Sequence, residues 1–262
     1  MTEPSPQETA APPNEQASEQ ASGETSGESR GEQGVVQDSV AFEDPAYRAA
    51  VVDLLGAITY GEISAFERLA DDAKLAVELP DKLALAKMAT VQFLHVEPLL
   101  ERISTLGVDP IEAMAPFVKP FDVFHAATAP SDWLEGLIKA YVGDGLAADF
   151  YVEIAAYLDS DTRQLIVDSL ADAGHADFVV DRVRRAIAED HRVGGRLALW
   201  GRRLMGEALS QAQRVAAERD SLAALLAGGV DRPGMDLAAL SRMFGRLTDN
   251  HAKRMAELGL AS

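Results

Sequence analysis

The sequence predicts an all-α domain of four core helices, arranged as two helical hairpins joined by one long crossover, with two additional C-terminal helices. Three observations predict it. From Asp44 onward the apolar side chains recur at the 3.6-residue spacing of a helix, and no stretch alternates as a strand does. Capping residues, prolines and glycines cut that pattern into six segments. The second and third segments are separated by roughly 25 residues carrying Pro110, Pro116, Pro120 and Pro130, too long for a hairpin turn and expected to be irregular.

The segments follow in order. Asp44-Pro45 is a start signal, an N-cap followed by proline at the first helical position. The first helix carries a stripe at Val51, Leu55, Ile58, Ala65, Phe66 and Leu69. Pro80 opens the second, with Leu85, Met88, Val96, Leu99 and Ile103, which closes near Gly107. The third begins at Asp132, with Glu135 at capping-box spacing, and runs through Leu134, Leu137, Tyr141, Ala148, Tyr151 and Leu158. After a break at Asp159-Ser160 the fourth carries Leu165, Val179, Val183 and Ile187. Gly194-Gly195 separates a long fifth helix ending near Ala227, and Pro233-Gly234 with Asp236 introduces the sixth. Two hairpins joined by one long crossover is the ferritin-like topology among four-helix bundles.

The first 42 of the 262 residues follow other rules. They are rich in Glu, Gln, Ser, Gly, Ala and Pro and lack large apolar side chains before Val35-Val36. Eight acids stand there against Arg30, a net charge of −7. Such a stretch buries too little apolar surface to offset its conformational entropy, so residues 1–42 are expected to be a disordered acidic tail and 43–262 the folded domain. An alanine-rich leader could resemble a transit peptide, but those are basic and poor in acids. No apolar run approaches the ~20 residues that spanning a bilayer requires, so membrane insertion is not expected and a cytoplasmic location is. The absence of cysteine leaves only nitrogen and oxygen donors for a metal.

Chemistry enters where the helical pattern breaks its own rule. Glu62 stands in the apolar stripe of the first helix, Gln92 and His95 in that of the second, Asp144 in the third, and Asp172 and His175 in the fourth. Burying unpaired charge at such positions is costly. Together the six form a repeat. Offsets of 82, 80 and 80 residues carry Glu62 to Asp144, Gln92 to Asp172 and His95 to His175. Each hairpin thus supplies one acid and one acid-or-amide-x-x-His pair, and residues three apart on a helix share a face. A lone carboxylate from each of two helices plus Glu-x-x-His from the other two is the di-iron pattern.

Several stretches resemble a known family. They are Ile58-Thr59-Tyr60-Gly61-Glu62-Ile63-Ser64-Ala65-Phe66, Ala115-Pro116-Phe117, the block from Ser131-Asp132-Trp133-Leu134-Glu135 through Ala147-Ala148-Asp149-Phe150-Tyr151, and Trp200 through Leu209. They look like the actinobacterial ferritin-like proteins grouped with the tRNA hydroxylase MiaE, over roughly residues 45–258. The resemblance implies a ferritin-like fold and a non-haem di-iron oxygenase. It also implies a hydroxylase, the name coming from enzymes that act on a hypermodified adenosine beside the tRNA anticodon.

The chain departs from that pattern at Asp144 and Asp172, one methylene shorter than glutamate, and at Gln92. Two ferrous ions call for four carboxylates, whereas Glu62, Asp144 and Asp172 supply three. Glu97 and Glu153 lie round the helix from the site, and Glu207 is the one replacement suggested. Two readings therefore stand: an iron-dependent hydroxylase served by a redox partner, or a non-catalytic ferritin-like interaction protein whose polar residues bond to one another. Tyr141 and Tyr151 lie along the Asp144 face, beside the site or in plain core packing. The formal charge of −18 leaves −11 on the folded part, which disfavours tRNA as substrate. Arg182, Arg184, Arg185, Arg202 and Arg203 read as a solvated helix face, and His125, His191 and His251 as surface histidines. A homo-oligomer is neither required nor excluded.

Overall fold

Aspartate starts most of the helices. Asp44, Asp109, Asp132, Asp159, Asp190 and Asp236 each accept a hydrogen bond from a backbone amide two or three residues on. Each such cap satisfies an amide that the helix cannot, at about 1 kcal/mol apiece. The computed structural model describes residues 42–170, 175–227 and 235–262, with the backbone alone for His175 and Leu237. Among the described residues the chain forms α1 (Pro45–Leu75), α2 (Leu79–Leu94), α3 (Val96–Thr105), α4 (Pro110–Ala127) and α5 (Trp133–Ala155). There follow α6 (Ser160–Ser169), α7 (His175–Glu189), α8 (His191–Glu218), α9 (Asp220–Ala227) and α10 (Leu237–Glu257). The acidic stretch 1–41 lies outside the described residues.

The fold class is all-α and ferritin-like in topology, and the helix boundaries correct the expected ones in four places. The second helix is interrupted at His95, which ends α2 and precedes α3. Pro98 accounts for this, since it has no N–H to offer the carbonyl of Leu94 and its ring crowds that oxygen. The crossover is not irregular but a helix, α4, with Pro116 and Pro120 inside it. Pro116 and Glu112, whose carbonyl loses its partner, are both exposed, so water takes the place of the missing bond. The fifth helix begins behind Asp190 and runs through Gly194-Gly195, then breaks at an extended Arg219. There Arg219 and Ser221 both bond to the buried Asp53 of α1. Three helices, not two, therefore follow the four-helix core among the described residues.

α1 and α5 lie against each other at the centre. α2 and α3 pack on α1, and α6 and α7 on α5. The ring closes where α3 meets α6, with Arg102 donating to Thr162 at 2.9 Å, and where Arg182 of α7 donates to Asp81 of α2 at 2.6 and 2.8 Å. α4 and α9 lean on α1, while α8 and α10 lean on α5. Gly56 permits the α1–α4 crossing, because a Cβ there would stand 2.2 Å from the Ala113 carbonyl oxygen. α1 contains an 18-residue window of mean hydropathy 1.4, apolar enough by composition to cross a bilayer, yet 67% of that window is buried inside the fold.

The core is two apolar clusters. One gathers Tyr47, Leu55, Ile58, Leu99, Ile103, Ile154 and Ile166. The other gathers Leu69, Leu85, Met88, Leu137, Val179, Val183 and Leu204. In α1 the first ends at Ile58 and the second begins near Phe66; in α2–α3 the gap falls between Ala89 and Val96 or Leu99; in α5 it follows Leu146. Glu62, Gln92, His95 and Asp144 all sit in or beside that gap.

Candidate metal centre

Glu62 is buried at the middle of α1, 5% exposed. The Nε2 of Gln92, on α2, donates to its Oε2. The Nδ1 of His95 stands 3.6 Å from the same oxygen. That nitrogen is buried and has no hydrogen-bond partner among the described residues. Burial pushes the Glu62 carboxyl up from its ordinary range, and His95 and then Gln92 pull it partly back. The expected i, i+3 pair therefore does converge on the expected carboxylate.

Asp144 of α5 faces the same cavity, of about 600 Å³. Its carboxyl is pushed up to about 8, by burial first and then by the charges of Glu62 and Asp72. The Lys139 ammonium pulls it only partly back. Tyr151 lines this cavity too, and burial raises its phenol well above the usual range. A Cβ on Gly61 would stand 3.2 Å from the Phe121 ring and 3.7 Å from the Tyr151 hydroxyl, so the glycine beside Glu62 lets α4 and α5 close over the site. Tyr141 lines the cavity as well, its hydroxyl donating to Glu257, another lining residue.

Asp172 and the side chain of His175 lie outside the described residues. Their flanks are described, and Ser169, Leu170 and Ala176 form part of the cavity wall. Among the described residues no group of three or more His, Asp or Glu side chains is placed to hold a metal ion. The donor chemistry fits one ion in part: one imidazole nitrogen without a partner, one carboxylate beside it, and a second carboxyl facing the cavity. It does not by itself fit two, because the fourth negative charge is an amide. Glu207 is not in the cavity wall and does not supply that charge, and Glu153 is engaged by Arg246 at 2.5 and 2.6 Å.

Several residues of the cavity escaped the sequence reading. Lys139, next to Ile138 on α5, is 7% exposed and faces the cavity, and burial lowers its ammonium to about 8. Asp72 of α1 is buried nearby and raised to about 6. His125 is no surface histidine: it lies in the last turn of α4, lines the cavity, and pairs with Ser64 Oγ at 2.6 Å. His251 is likewise buried, with neither ring nitrogen bonded, whereas His191 is exposed at the start of α8. Reading the crossover as a helix would have placed His125 one turn beyond Phe121. Nothing in the sequence distinguishes Lys139 from a surface lysine.

Of the arginines read as a solvated face, Arg184, Arg185, Arg202 and Arg203 are exposed and Arg182 is half-buried, each with a partner in the fold. Arg182 pairs with Asp81, Arg184 donates to the Glu257 carbonyl at 2.7 Å, and Arg185 pairs with Asp181. Arg202 and Arg203 donate to the carbonyls of Ala261 and Ala127.

No curated protein matches the chain. Residues 45–229, which span the four-helix core and the polar layer, match the profile of the family described as ferritin-like domain, actinomycetes. The match covers more than half of the chain and the whole four-helix core, so the chain belongs to the ferritin-like domain family of actinomycetes.

Proposed function

We propose that this protein binds iron in the polar layer of its bundle and hydroxylates a small or protein-bound substrate there. The single observation that supports the reading most is the buried Nδ1 of His95, without a hydrogen-bond partner and 3.6 Å from Glu62 Oε2. An unpaired imidazole nitrogen in a core is costly, and a metal ion relieves that cost. Glu62 and His95 are the first ligands, Asp144 the carboxylate from the facing hairpin, and Asp172 and His175 the residues expected to complete the set. Bound iron would supply dioxygen activation, with electrons from a redox partner.

The chain's own residues do the rest. Gln92 donates to Glu62 and fixes its rotamer. The apolar clusters above and below lower the local dielectric, which strengthens the charge interactions within the layer. Asp144, its carboxyl raised to about 8, can hold a proton at neutral pH until a cation displaces it. The resemblance to tRNA hydroxylases bears on reaction type only. A folded domain of −11 is poorly suited to tRNA.

A second reading is favoured by one contact. The Gln92 amide already satisfies Glu62, so a metal-free network closes without help. Metal content after anaerobic loading with ferrous iron separates the two, measured on the full chain and on His95→Ala and His175→Ala. About two irons per chain, lost in both variants, mean a complete centre. About one, lost chiefly in His95→Ala, means that the first hairpin alone holds it. No iron on a folded chain would sink the hydroxylase and leave the interaction protein.

A further inference from the structure

We propose that two adjoining cavities form one binding site for a small carboxylic acid, with Lys139 taking the carboxylate and an apolar cavity taking the body of the molecule. Lys139 is more than nine-tenths buried and lines the main cavity, yet it makes no hydrogen bond or ion pair with any described residue. Its ammonium stands 5.6 Å over the Phe124 ring, which offers some compensation. Asp72 and Asp144 are near enough to be felt electrostatically, but neither comes within 4.0 Å as an ion pair. Three N–H donors thus face a cavity with no acceptor assigned to them, and a carboxylate oxygen is what they lack. The amine is still protonated at neutral pH, although burial and Arg68 bring it down to about 8.

The second cavity, of about 180 Å³, adjoins the first. Its walls include Leu54, Phe117, Phe150 and Ile154, and none of its lining side chains is charged. An apolar pocket of that volume has room for a single ring. The two cavities share Phe121, Phe124, Gly143, Ala147 and Tyr151. Phe124 lies beneath Lys139, and Gly143 is the neighbour of Asp144. A molecule held by its carboxylate at Lys139, with its ring or chain beyond Phe124, therefore passes along the acidic layer. The site rests on the proposed function only where the acid is called a substrate; its binding does not need iron.

The test is calorimetry on the full chain stripped of metal, with phenylacetate, phenylacetamide and phenethylamine as probes. Phenylacetate should bind at least about tenfold more tightly than the amide, the weight of one charge-assisted hydrogen bond. That preference should vanish in Lys139→Met, while Ala212→Phe, which fills the second cavity from α8, should weaken acid and amide alike. Equal binding of acid and amide, preference for the amine, or no saturable binding would overturn the proposal. So would Lys139→Met with its preference intact, or Ala212→Phe without effect. If Lys139→Met does not fold, the acid-to-amide ratio in the unaltered chain still decides. A chain that binds phenylacetate but never iron would retain this site and lose the hydroxylase.

Discussion

His125 sits where α4 meets α1, bonded through Nε2 to the buried Ser64 hydroxyl, with its Nδ1 buried and unbonded. Burial, reinforced by the positive charges of Lys139 and Arg68, lowers its pKa from the ordinary 6.5 to about 3. The consequence for stability has a definite sign. Between those two values the unfolded chain binds the proton and the folded chain does not, so this histidine subtracts stability as pH falls from 6.5 towards 3. Asp72 and Asp144, with raised pKa values, act in the opposite sense over part of that range. A comparison with His125→Gln cancels them, since the glutamine keeps a bond to Ser64 and both proteins keep the acids. The difference in thermal midpoint should move in favour of His125→Gln as pH is lowered from 7 to about 4.5. A difference that does not change with pH would mean that His125 is solvated and charged in the folded state. Such effects are invisible in sequence because a histidine's pKa belongs to its surroundings; Ser64, Lys139 and Arg68 come from two other helices.

At the scale of helices, what was legible follows from what is local. Periodicity and aspartate caps depend on neighbours in the chain, and α1, α5, α6 and α10 start where Asp44, Asp132, Asp159 and Asp236 place them. The prolines act in opposite ways. Pro98 ends α2 at His95, where an unbroken stripe had been expected, while Pro116 and Pro120 leave α4 intact because the exposed side of that helix can be hydrated. The polar layer was legible because Glu62, Gln92 and His95 interrupt an apolar stripe; Lys139 was not, because lysine suits any helix surface. α4 carries Phe121, Phe124 and His125 to the cavity and begins at Asp109, whose carboxylate accepts from the Ile111 amide at 2.7 Å. Asp109→Ala should cost about 1 kcal/mol, read as a lower urea midpoint with an unchanged slope. A larger loss with a reduced slope would show that α4 detaches from α1 as a unit.

At the scale of the whole molecule, two apolar clusters are separated by a layer of acids, histidines and an amide. This architecture sets hydrophobic stabilisation against the cost of a buried polar plane. Closing the plane takes either hydrogen bonds or a cation, and Gln92 is where the alternatives part. Its amide donates to Glu62, which serves the metal-free network, but it withholds the fourth negative charge that two ferrous ions require. Gln92→Glu replaces a donor by a second acceptor against Glu62. In the metal-free protein this loses a buried hydrogen bond and sets two carboxyls in contact, so the thermal midpoint should fall, by the equivalent of about 1–3 kcal/mol. With iron the sign reverses: the added charge tightens binding, and a ligand that binds only the folded chain raises its midpoint in proportion to the logarithm of its concentration. The iron-induced rise should therefore be larger in Gln92→Glu than in the unaltered chain. A variant that is destabilised and gains nothing from iron would identify the layer as a hydrogen-bonded network, with His95 held in the core for packing alone.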